Sequence, residues 1–250
     1  MTACGRLALP KLTETLGFCS PRLASFSRID RLVPCMNKLF SAVLGAAILW
    51  VDSSSGQTVI NSAPYTISAA GNYVVGSNLI YSSSTGGAIV VQHHHVTLDL
   101  GGHYIFNPVA SNSSVGVYVQ NAENITIRNG IIVGFNYGVY FNYLGGTKLN
   151  SGNIVSDLKL SDNLDGIFLV GATVSKVTNN QITNSNGVGG TGIYIAGGSN
   201  VAGGNIINGF SAGIATFGNS YLFENTISNC NTGLFMQGSD KYRFNTTFQL

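Results

Sequence analysis

The chain has 250 residues, with 32 glycines, 5 prolines and only 9 % Asp, Glu, Lys and Arg, against a usual charged share of about 25 %. So little charge argues against ordinary helical and α/β domains. A hydrophobic share of 44 % excludes bulk disorder, and a net charge of +2 with no basic run gives no nucleic-acid surface.

The first 35 residues differ from the rest. They hold Arg6, Lys11, Arg22, Arg28 and Arg31 against Glu14 and Asp30, together with Cys4, Cys19 and Cys35. Cys230 stands alone in the remainder, so the body of the chain has no internal disulfide. Met36-Asn37-Lys38 then opens a stretch, Leu39 to Val51, without a charge, and small polar residues follow from Ser53 to Gln57. A basic start, an apolar stretch and small residues before a cleavage point are the parts of a secretory signal. Thirteen apolar residues are too few for a transmembrane span, which needs about 20. The expected organisation is an upstream extension over 1–35, a signal peptide over 36–56 and one folded domain over 57–250. A packed N-terminal arm or a transit peptide is the alternative for 1–35. The expected location is secreted or cell envelope.

From residue 88 onward a repeat is legible. A small residue, an aliphatic, a variable position and another inward residue recur at Ala88–Val91, Gly116–Val119, Gly138–Phe141, Gly166–Leu169, Gly192–Ile195, Gly213–Thr216 and Gly233–Met236. Between them run aliphatic pairs five apart: Leu100/Ile105, Ile127/Ile132, Val155/Leu160, Val177/Ile182, Val201/Ile206 and Leu222/Ile227. Two residues after each pair stands a turn former: Asn107, Gly134, Asp162, Asn184, Asn208 or Asn229. No segment keeps the 3.6-residue apolar period of a helix. One such unit cannot bury its apolar face alone, so units must stack. The prediction is an all-β, single-stranded parallel β-helix of about seven to eight coils, with asparagine ladders at its corners. Scarcity of charge fits that architecture, because like charges stacked about 4.8 Å apart repel.

Val96-Thr97-Leu98-Asp99-Leu100-Gly101-Gly102 and Asn124-Ile125-Thr126-Ile127-Arg128-Asn129-Gly130 resemble opening coils of uncharacterised secreted bacterial proteins of the pectate lyase-like superfamily. The resemblance covers about residues 58–250 and implies a right-handed helix. It leaves activity open, since that superfamily contains lyases, hydrolases, epimerases, tailspikes and structural proteins.

Asn163-Leu164-Asp165-Gly166 resembles the Asn-x-Asp-Gly motif of polygalacturonases, in which the Asp belongs to the catalytic set. The paired Asp, the Gly-His-Gly and the Arg-x-Lys of those enzymes have no counterpart here. A calcium-dependent lyase would need clustered acidic oxygens and a base. Asp157, Asp162 and Asp165 with Lys159 form the one dense acidic-basic group, although all belong to a single coil. The plainer reading makes Asp165 a turn residue before a strand, Asp162 a member of the turn column and Asp157 a solvated side chain. His93 and His95 could supply two metal ligands from an extended segment, short of a full set. An exposed corner between Val91 and Val96 is the simpler account, and no motif calls for a cofactor.

The variable position of the Gly-aliphatic strand points outward. Along the coils it reads Val90, Tyr118, Tyr140, Phe168, Tyr194, Ala215 and Phe235. Tyr118, Tyr140, Phe168, Tyr194 and Phe235 are therefore the candidate carbohydrate-binding residues, since aromatic rings combine an apolar body with, in Tyr, a polar tip. The partner expected from this stripe is a polysaccharide. A stabilising aromatic ladder, or one covered by the loop Phe141–Ser156 or the N-terminal arm, is the competing account. The segment from Asn245 repeats the start of a coil without a cap, so end-to-end association or further coils are expected there.

Overall fold

The computed structural model describes residues 56–109, 113–143, 150–187 and 189–248. The expected extension and nearly all of the expected signal peptide lie outside the described residues, as does the loop segment 144–149. The described part belongs to one unit, Ser53–Leu250.

That unit is a parallel β-helix. Each coil contributes a strand to three long ladders, termed here sheets A, B and C. Sheet A stacks Tyr65–Ile67, Thr85–Val91, Ser113–Gln120, Tyr137–Asn142, Asp165–Val170, the first half of Thr191–Gly203, the first half of Ala212–Phe223, and Thr232–Gly238. These strands make about seven turns. Sheet B follows one corner later, through Val96–Asp99, the start of Ile125–Val133, the start of Ile154–Ser161, and Lys176–Thr178. Sheet C closes each coil, as in Tyr104–Phe106, Gln181–Thr183, Ile206–Asn208 and Thr226–Ser228. All these pairings are parallel, and no helix occurs among the described residues.

The core is a set of columns of like on like. In sheet A, Val117, Val139, Ile167, Ile193 and Ile214 stack in register and are fully buried. Sheet C adds Ile105, Ile132, Leu160, Ile182, Ile207 and Ile227. The recurring glycine has a steric cause. A Cβ on Gly166 would lie 2.4 Å from the Gly192 carbonyl oxygen, and one on Gly192 would lie 2.7 Å from that of Gly213 and 2.5 Å from Ile207 Cγ2. From Gly116 to Gly213 the column is thus a line of backbones packed too closely for a side chain.

Two expectations are corrected. The inward pair of the sixth coil is Ala202/Ile207, in register with Val177/Ile182, while Ile206 is exposed. Its turn residue is accordingly Gly209, with φ +85°, and Asn208 lies in the strand. The extra residue is Ser199, at φ +59°, where the pairing of Thr191–Gly203 with Ala212–Phe223 shifts between Gly198 and Asn200. In the second coil Leu98, not Leu100, is the partner of Ile127, although Leu100 is also buried, against Gly130.

The amide ladder also runs along a different corner, between sheets B and C. Asn180, Asn205, Asn225 and Asn245 form it, each Nδ2 donating to the next Oδ1 at 2.8–3.0 Å. Asp162 takes no part. It turns the corner between sheets C and A at φ +53° and accepts hydrogen bonds from Ser185 N and Oγ at 2.8 and 2.6 Å.

Candidate binding face on sheet A

Register places the outward residues of sheet A in one file. Tyr118 pairs with Tyr140, Tyr140 with Phe168, Phe168 with Tyr194, Tyr194 with Ala215, and Ala215 with Phe235. Five steps of about 4.8 Å make the file about 24 Å long. Its rings touch. Tyr118 and Tyr140 stack at 5.3 Å, and Phe168 and Tyr194 at 4.1 Å with planes 7° apart. Tyr140 and Phe168 meet edge to face at 5.7 Å, so the file consists of two stacks set nearly at right angles.

Two rings complete it that periodicity alone does not reveal. Phe217 fills the gap over Ala215, at 5.2 Å from Tyr194 and 5.5 Å from Phe235. It stands two residues beyond the variable position, paired with Ala196, and small side chains at both sites leave room for it. Tyr137 stacks on Tyr140 at 4.7 Å and meets Phe168 at 5.2 Å. It precedes a glycine and an aliphatic that both face inward, so Tyr137 and Tyr140 share the outer face three residues apart. The signal for it was the tyrosine at that place, which strict alternation assigns no role.

Neutral polar groups border the rings. Asn142 Nδ2 donates to the Tyr118 hydroxyl at 2.9 Å, and Gln92 Nε2 donates to Gln120 Oε1 at 2.8 Å. Asp165 is half-buried opposite Tyr137, its Oδ1 accepting from Thr191 N at 2.6 Å. Burial raises its carboxyl above the ordinary range, and the Thr191 hydrogen bond only partly opposes that. Burial likewise raises the Tyr137 and Tyr140 hydroxyls, with Asp165 adding to the first and Tyr118 and Tyr137 to the second.

The acidic-basic group of Asp157, Lys159, Asp162 and Asp165 does not converge. Asp157 and Lys159 line a shallow groove with Asn179, Gln181, Gly204 and Ile206 on the far side of the coil. Asp162 is at the next corner and Asp165 on sheet A. The motif residue Asn163 is buried, its Oδ1 accepting from Phe135 N and its Nδ2 donating to Ile132 O, which is a structural role. His93 and His95 are exposed at a corner, and the turn puts His95 at φ +59° rather than in an extended run. His94 is tied down, its Nδ1 accepting from Glu123 N at 3.1 Å. Among the described residues no three His, Cys, Asp or Glu side chains gather as a metal site, and no helix is long and apolar enough to cross a membrane.

The family description "right handed beta helix region" matches residues 46–232. The chain therefore belongs to the right-handed β-helix family, a class of repeat proteins in which a stack of coils presents long flat faces. A search of curated proteins finds no match.

Proposed function

We propose that the protein is a secreted or envelope β-helix that binds polysaccharide along sheet A. The observation that carries this reading is the in-register file of outward aromatic rings, from Tyr118 to Phe235, flanked by neutral amides. Such a file offers a chain molecule repeated contacts along its length, and tyrosine edges suit sugar C–H and O–H groups. The run of residues 36–56, with its basic start and apolar stretch, supports export.

A second reading has its own observation. Because Phe168 and Tyr194 lie face to face at 4.1 Å, much of the ring surface is spent on ring–ring contact, as in a structural or adhesive repeat protein stiffened by an aromatic ladder. The double variant Tyr140→Ala/Tyr194→Ala separates the two. Binding predicts that retardation in a polysaccharide affinity gel is largely lost while circular dichroism still shows a folded protein. A ladder alone predicts destabilisation by about 1–3 kcal/mol, from lost ring pairs, and no change in retardation. An enzymatic alternative, lyase or hydrolase, would centre on Asp165, since Asp157, Lys159 and Asp162 lie elsewhere. Release of unsaturated or reducing sugar by the pure protein is its signature.

A further inference from the structure

The charges of the molecule are sorted by face. Among the described residues, Arg128, Lys176, Lys241 and Arg243 stand on sheet B and Lys159 on sheet C. The strands of sheet A carry one charge in all, the carboxyl of Asp165. Corners beside that sheet add acidic groups, with Glu123 following Ser113–Gln120 and Asp240 following Thr232–Gly238.

We infer that sheet A takes an uncharged polysaccharide and turns away uronate-containing or sulfated chains; this rests on the reading of sheet A as a glycan-binding face. A polyanion lying along the file would bring a carboxylate or sulfate every sugar or two onto half-buried rings. Each would lose water without gaining a cation among the described residues, and an ion desolvated without a partner is strongly disfavoured. Bridging metal would not rescue it, because multivalent cations need several acidic oxygens in one place and Asp165 is the one carboxylate on the face. A neutral glycan meets no such penalty. Its hydroxyls can exchange water for the Asn142, Gln92 and Gln120 amides, and its C–H faces can meet ring edges.

The test is affinity electrophoresis of the full chain at about pH 8. Gels contain β-glucan or galactomannan as neutral probes, and polygalacturonate or alginate as anionic ones. Retardation is expected in a neutral gel, absent from both anionic gels, and constant within about twofold when salt rises from about 0.05 to 0.5 M, since screening acts on charge pairs. Retardation in an anionic gel equal to or above that in the neutral ones would overturn the inference while leaving glycan binding standing. No retardation in any gel, or retardation indifferent to Tyr140→Ala/Tyr194→Ala, would overturn the binding reading of sheet A itself.

Discussion

Asn205 is fully buried, yet its whole amide is engaged: Oδ1 accepts from Asn180 N and Nδ2 at 3.0 Å each, and Nδ2 donates to Val177 O at 2.9 Å and Asn225 Oδ1 at 2.8 Å. Asn205→Ala strands a buried N–H and a buried carbonyl together, so a loss of about 3 kcal/mol is expected in urea denaturation. Asn208→Ala, at a half-buried side chain that meets Ser228 Oγ, should cost under about 1 kcal/mol. Asp165 argues the other way. Its folded carboxyl is raised by burial above the unfolded value, so the folded chain holds the proton more tightly. The stability this supplies is complete below the unfolded pKa and is lost as pH rises through the folded one. Asp165→Asn should therefore melt higher than the parent at neutral pH, with the gap closing below about pH 4.

Ser199 governs a whole strand. Side chains alternate with a period of two, so one additional residue would turn Ala202 outward and Val201 inward unless the extra is set aside. The left-handed turn at Ser199 sets it aside. Removing Ser199 joins Gly198 to Asn200 in the pattern of Asn219-Ser220, and the variant should melt within a few degrees of the parent. Deleting Thr178, in a strand with no bulge, should collapse the fold; thermal melts by circular dichroism compare the two. The same bulge puts Ala202 and Ile207 inward in place of Val201 and Ile206. Val201/Ile206 keep the five-residue spacing, and spacing alone cannot tell which of two adjacent aliphatics faces the core. The Gly-aliphatic strands and their outward file were legible because both obey alternation. Tyr137 and Phe217 were not, since one precedes two consecutive inward residues and the other leans across a gap left by Ala215. The amide ladder was legible but its corner was not: asparagines suit turns at several corners, and which corner aligns their amides depends on coil geometry rather than on composition.

Stacked coils share stability with their neighbours, which makes the molecule tolerant of whole-unit edits and intolerant of partial ones. Asn205 and Asn225 are 20 residues apart and hold equivalent ladder places. Deleting residues 205–224 should give a cooperatively folding protein with unchanged β-type circular dichroism and a modestly lower melting temperature. Deleting 205–214 should not fold, because sheet A residues would be fed into sheet C. At this scale low charge finds its place as well: the few cations among the described residues stand on sheets B and C, where neighbours such as Asp99 can pair with Arg128 at 3.1 Å. The ladder carries one more consequence. Asn225 accepts from Asn205 N and donates to Ala202 O, and both of these backbone groups belong to the coil before it. Each asparagine thus reads a finished template on its N-terminal side, so the stack has a polarity of growth that matches the order in which a chain leaves the ribosome or a secretion channel.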